Sequence, residues 1–261
     1  MEVIILQDAN EIGSVGADAI VALLDRKPQA VLGLATGSSP LAIYDELARR
    51  FGSGLVSFSR AAGFTLDEYV GLPDDHPQRY RNVIDDVFVS KVDFAPGAVH
   101  GPDGLAPDIP EACAQYEDAI HDAGGVDLQI LGIGTDGHVA FNEPGSSLGS
   151  RTRIKTLTRQ TRMDNARFFG GDVDAVPTHC LTQGLATILE ARHLILVATG
   201  RRKAEAVHQL VEGPVSAMWP ATILQLHPHV TVLLDGAAAQ RLQLVDYYRE
   251  ISRSKPDWQG I

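Results

Sequence analysis

The sequence predicts an α/β fold in a single domain over residues 1–261: an open, mainly parallel sheet with helices on both faces. Short apolar runs alternate with longer amphipathic stretches, which is the pattern of strands joined by crossover helices. The runs recur at near-regular intervals, and no repeat, low-complexity tract or Ser/Gly linker divides the chain. Its 261 residues suit one substantial α/β domain.

The first apolar run, 3–6, precedes helical periodicity over 11–25. A second, 30–35, enters a small-residue turn in which Ser39 is expected to N-cap and Pro40 to open a helix over 41–51. Strand 63–66 follows, then helices over 79–90 and 111–122, and strand 128–133. Helix 182–191, strand 193–198, helix 202–211, strand 230–234 and helix 236–250 complete the order. Residues 140–167 show no regular pattern and are expected to be a long irregular segment, a candidate lid, because such loops in compact domains usually carry function.

Composition narrows the partners. Hydrophobic residues make up 44% and charged residues 21%, ordinary globular values. The formal net charge of -11 disfavours nucleic acid or an anionic membrane as a partner. An anionic small molecule then needs a local basic patch. Arg151, Arg153, Lys155, Arg159, Arg162 and Arg167 supply one, against Asp164 alone. The N-terminal apolar run is too short for a secretory signal and no run would span a bilayer. Two cysteines, Cys113 and Cys180, suggest neither a disulfide framework nor a metal site, so a cytoplasmic location is expected.

Ligands of open parallel sheets bind at the carboxyl ends of strands, and three of these ends are chemically loaded. Thr36-Gly37-Ser38-Ser39-Pro40 offers backbone amides, hydroxyls and a helix start, which together favour a phosphate. Phe64-Thr65-Leu66 delivers Asp67 and Glu68, of which only one can face a cleft because strand side chains alternate. A partly desolvated carboxylate there is a base for a carbon-bound proton. After the apolar strand Leu131-Gly132-Ile133, His138 has Asp136 two residues before it and Glu143 five after, and neighbouring acids can fix its tautomer for proton transfer.

Other patterns do not survive their context. Gly132 to Gly137 matches a dinucleotide fingerprint, but Pro144-Gly145 interrupts the required helix and the expected acid falls in a basic stretch. Gly145-Ser146-Ser147-Leu148-Gly149 lacks the strand and helix of a nucleophile elbow. His227-Pro228-His229 has no further ligands beside it and reads as the turn before the last strand.

Over essentially its whole length the chain resembles the glucosamine-6-phosphate deaminases. The resemblance is carried by Thr36 to Pro40, Leu66-Asp67-Glu68-Tyr69-Val70-Gly71-Leu72-Pro73, Asp136-Gly137-His138-Val139-Ala140-Phe141-Asn142-Glu143-Pro144 and Ser150 to Thr158. The family's modified Rossmann-like fold is shared with 6-phosphogluconolactonases, whose glycine-hydroxyl turn and Asp-Gly-His are similar. Phe141 to Pro144 and the Glu-Tyr-Val-Gly-Leu-Pro run after Asp67 favour the deaminase.

The resemblance implies conversion of glucosamine 6-phosphate to fructose 6-phosphate and ammonia, without metal or organic cofactor. It implies that Asp67 carries the proton between C2 and C1 and that His138 opens the sugar ring, with Asp136 and Glu143 flanking and tuning the imidazole. Gly37, Ser38, Ser39, Arg167 and Lys203 match phosphate-binding positions. Some bacterial members are homohexamers activated by N-acetylglucosamine 6-phosphate; Ser146, Arg153 and Lys155 match that effector site, and Tyr247 is a further candidate. The rivals are a 6-phosphogluconolactonase and a non-catalytic sugar-phosphate-binding regulator, and a complete proton-transfer set argues against the regulator.

Overall fold

The structure, a computed structural model, describes residues 1–256 and 259–261. In chain order the elements are β1 (Glu2–Leu6), α1 (Ala9–Arg26), β2 (Val31–Leu34), α2 (Leu41–Gly52), β3 (Ala62–Thr65), β4 (Asp67–Tyr69), α3 (Tyr80–Val87), β5 (Val99–His100) and α4 (Ile109–Asp122). There follow β6 (Leu128–Gly132), β7 (Arg153–Thr156), α5 (Arg159–Asn165), β8 (His179–Thr182), α6 (Leu185–Leu189), β9 (His193–Ala198), α7 (Ala204–Glu212), β10 (Val230–Asp235) and α8 (Val245–Arg253).

Seven strands form one sheet in the order β1-β10-β9-β6-β2-β3-β5, and every neighbouring pair is parallel. All six β9 residues are buried, so both faces of the sheet are covered, as the continuous apolar runs predict. Helix starts are built locally where a short acid precedes them. Asp8 accepts from the amides of Asn10 and Glu11 at α1, and Asp108 from Glu111 at α4. Tyr44 and Phe88 stack at 4.6 Å on one flank of the core, with Phe58 edge-on to Phe88 at 5.4 Å.

A second, three-stranded sheet, β4-β8-β7, is antiparallel and holds much of the chain that the periodicity misreads. Residues 140–167 are not structureless: β7 and α5 lie within them. The expected helix over 182–191 is the end of β8 followed by the short α6, and that over 236–250 is a 3-10 turn, Ala238–Arg241, followed by α8. Ser39 is not an N-cap. Pro40 itself begins the turn, at φ -84° and ψ -9°, and its carbonyl accepts from the amides of Ile43 and Tyr44.

Candidate active site

Chain order reverses across the main sheet at β2. From there β3 and β5 are laid down to one side, and β6, β9 and β10 to the other. Such a switch point opens a crevice at the carboxyl ends of the strands. Four adjacent strands, β3, β2, β6 and β9, end there and are followed by Asp67, Gly37 to Ser39, Asp136 with His138, and Lys203 respectively. Four strands span about 14 Å of sheet. Residues separated by up to 166 positions in sequence therefore converge because of topology.

Asp67 and Glu68 divide as strand alternation requires. Asp67 is 6% exposed and Glu68 1%. Asp67 pairs across β4 and β8 with Thr182, which pairs in turn with Arg153 of β7, so these three share one face of the small sheet. Burial pushes the Asp67 carboxyl well above the usual carboxylate range, and the Glu68 charge adds to it. Glu68 turns the other way and accepts backbone hydrogen bonds from Tyr69 at 2.8 Å, Tyr80 at 2.9 Å and Arg81 at 3.0 Å, the last two at the start of α3.

His138 and Asp136 form the second part. The imidazole Nδ1 lies 2.7 Å from Asp136 Oδ1, while the His138 amide donates to the same oxygen at 3.3 Å. Burial raises the Asp136 carboxyl, and hydrogen bonding and charge from His138 reverse this, leaving it below its ordinary value. The turn is tight: Gly137 donates to the Gly134 carbonyl, and Gly134 to that of His138. Gly134 must lack a side chain here, since a Cβ would overlap the His138 ring and come within 2.6 Å of Asp136 Oδ1. Ala140, two residues past His138, has φ +52°, a left-handed conformation uncommon for a residue with a Cβ.

Glu143 is buried at 7% exposure, and its hydrogen bonds go to α5 rather than to His138. The Thr161 hydroxyl donates to Glu143 Oε1, as does that of Thr158 at 3.3 Å, and Thr158 also caps α5 through the Thr161 amide. Of the two acids expected beside His138, Asp136 is the one that stands 2.7 Å from the ring nitrogen. In the sequence, only the residue type and position of Thr158 as an N-cap point to this pair.

At the anion end, Gly37 takes φ +86° and is exposed with Ser38. A Cβ on Gly132 would lie 3.2 Å from Ser39 Oγ, so that hydroxyl stands over the end of β6. Burial lowers the Lys203 ammonium from its ordinary value; the Arg202 charge adds to this, Asp136 and Asp164 oppose it, and Arg167 adds a smaller lowering. Lys203, Arg167 and Asp136 thus share one electrostatic neighbourhood. Arg167 is exposed in the 3-10 turn after α5, its guanidinium 4.6 Å above the Phe168 ring.

Of the candidate effector residues, Arg153 and Lys155 alternate along β7 on one face, both half-buried. Burial lowers the Arg153 guanidinium from its ordinary value. Ser146 is 3% exposed, and among the described residues its hydroxyl has no hydrogen-bond partner. Tyr247 is elsewhere, exposed on α8, which packs on β1 at the first edge of the main sheet. His227 is held in the turn before β10: its Nε2 donates to the Ala191 carbonyl at 2.7 Å and its Nδ1 accepts from the His229 amide at 3.1 Å.

The arrangement can hold an anion at one end of a crevice and move protons at the other, which defines a class of enzymes acting by acid–base chemistry on phosphorylated substrates. A family model described as glucosamine-6-phosphate isomerases/6-phosphogluconolactonase matches residues 8–233. The chain is 80% identical over 261 residues to a glucosamine-6-phosphate deaminase of Mycolicibacterium smegmatis and 72% identical over 261 residues to one of Beutenbergia cavernae, in both cases over 100% of each chain. A solved structure described as a monomeric glucosamine-6-phosphate deaminase superposes with a TM-score of 0.90 at 41% identity, over 92% of this chain and 100% of that one. A 6-phosphogluconolactonase from Thermotoga maritima superposes with a TM-score of 0.71 at 23% identity, over 90% and 98%, which shows the common fold alone. The chain belongs to the glucosamine-6-phosphate isomerase/6-phosphogluconolactonase family.

Proposed function

We propose that the chain isomerises and deaminates glucosamine 6-phosphate, with water, to fructose 6-phosphate and ammonia, as an amino-sugar-degrading hydrolase. The observation that carries the reading is the convergence of a buried carboxylate at Asp67 with the Asp136–His138 pair at one switch point. Its raised carboxyl suits a base for the C2 proton, returned at C1. The imidazole exchanges a proton with the ring oxygen, and Asp136 fixes its tautomer. Gly37, Ser38, Ser39, Arg167 and Lys203 hold the phosphate, and Glu143 supplies negative charge from the α5 side.

Incubating the pure protein with glucosamine 6-phosphate and following ammonia tests the reaction. A lactonase releases none, and a regulator binds without turnover. High identity to relatives named deaminases favours the deaminase over the lactonase.

The reading extends to a cytoplasmic enzyme in N-acetylglucosamine utilisation. No helix among the described residues is long and apolar enough to cross a membrane. It extends also to a homo-oligomer, a hexamer, with N-acetylglucosamine 6-phosphate bound at Ser146, Arg153, Lys155 and Tyr247. Within one chain Tyr247 is remote from β7, so a shared effector site needs a second subunit. Light scattering gives the mass, and sigmoidal kinetics made hyperbolic by the acetylated sugar phosphate support the site. Residues 140–167 are read as a lid carrying Arg167, and slowed hydrogen exchange there on adding fructose 6-phosphate tests closure.

A further inference from the structure

The geometry points to Glu68 as a positioning residue for Asp67: an anchored carboxylate on the opposite face of β4 that fixes the strand and makes Asp67 a stronger base. The inference rests on the proposed role of Asp67 as the base.

Anchoring comes first. Glu68 is 1% exposed, and its carboxylate receives three backbone N–H groups, two of them the free amides that open α3. Arg79 Nε stands 3.8 Å away and Arg79 also pairs with Asp74. A buried carboxylate with this donor set is held in one rotamer, and it locks residues 68 and 69 of β4 to the start of α3. Asp67, the preceding residue, inherits that fixed backbone on one side and the Thr182 pairing on the other.

Charge is the second contribution. Burial raises the Glu68 carboxyl above its ordinary value, and the amides of Arg81, Tyr80 and Tyr69 and the Arg79 charge oppose this without reversing it. Among the described residues, Tyr69 on β4, Tyr80 on α3, Tyr116 on α4 and Cys180 on β8 feel the Asp67 charge, and His138 shares the crevice with it. Burial raises the three tyrosines and Cys180, Tyr69 to about 12 and the others above their ordinary values, so each of these four is neutral near pH 7. Arg153 stands two strands away on the same face as Asp67. Glu68 is thus the close negative charge against which Asp67 ionises, and a like charge raises proton affinity. A base of higher proton affinity takes a carbon-bound proton faster once it is ionised.

The test is the pH profile of kcat for the whole enzyme with glucosamine 6-phosphate, where titration of the substrate itself cancels between variants. Glu68→Gln removes the charge. Its acid limb moves to lower pH and its plateau kcat falls about three- to tenfold. Glu68→Asp keeps the charge and returns the limb towards the parent position, which a purely structural role does not require. If Glu68→Gln does not fold, Arg79→Met carries the test: it leaves the three amide bonds and moves the limb to higher pH. A limb unmoved in folded Glu68→Gln, or in Arg79→Met, overturns the inference. Asp67→Asn separates the two levels. Turnover retained by that variant removes the base itself, whereas its loss beside an unmoved limb in Glu68→Gln removes only the role of Glu68.

Discussion

The two sheets divide the labour of the molecule. The seven-stranded sheet is parallel, apolar and covered on both faces, and it fixes where strands end. The three-stranded sheet is antiparallel, has Asp67 and Glu68 on one edge strand and Arg153 and Lys155 on the other, and supplies charge. The shortest connection between them is a single residue, Leu66, at which the chain leaves β3 and enters β4. The main sheet sets where the site residues converge, and the small sheet adds the buried carboxylate of Asp67 to them. Damage to the two should therefore separate into stability and turnover.

The sharpest test of that separation is Asp67→Asn, which should lower ammonia release at least about a hundredfold. Its melting temperature should not fall, because burial of the ionised carboxylate costs stability. On the other side, Leu196→Ala in β9, 0% exposed, should cost about 2–5 kcal/mol in denaturant unfolding. Ile154→Ala in β7, 44% exposed, should stay within about 0.5 kcal/mol. Equal losses at the two positions would break the comparison. Gly134→Ala stands at the boundary: the overlap with His138 and Asp136 should lower kcat about tenfold or more, with a smaller change in melting temperature.

The smallest effect concerns the main sheet far from the crevice. His193 at the start of β9 stacks on His229 at 3.6 Å, and its Nε2 lies 2.9 Å from Thr231 Oγ1. Burial, then the charges of His229, His227 and Lys255, lower its imidazole to about 3. The unfolded chain takes up this proton near the ordinary value, about 6.5. Stability is therefore flat above that pH and falls as pH drops from there towards 3. His193→Gln, which can keep the Thr231 bond, should flatten the decline in melting temperature between pH 7 and 5.

What could be read from sequence follows the same division. Strands 128–133 and 193–198 were legible because a strand buried on both faces must be apolar throughout. The strands β4, β7 and β8 are three or four residues long, and alternation over so few residues cannot be told from loop. Residues 140–167 consequently read as irregular. Asp67, His138 and the Gly37 turn were legible as the ends of strands, and Glu68 could be separated from Asp67 by alternation alone. The partners of Glu143 were not, since Thr158 and Thr161 reach it through the placement of α5, a tertiary fact. Ser39 was misplaced because its hydroxyl faces β6, a strand far along the chain, instead of its own helix.

The proposed function requires one crevice, at the carboxyl ends of β3, β2, β6 and β9, to receive a whole hexose phosphate. A crystal structure with fructose 6-phosphate tests it most directly. The phosphate should lie against Gly37 to Ser39, Arg167 and Lys203, with the C1–C2 edge within reach of the Asp67 carboxylate and the sugar oxygens beside His138. A sugar bound elsewhere, or bound with Asp67 turned from C1 and C2, would contradict it.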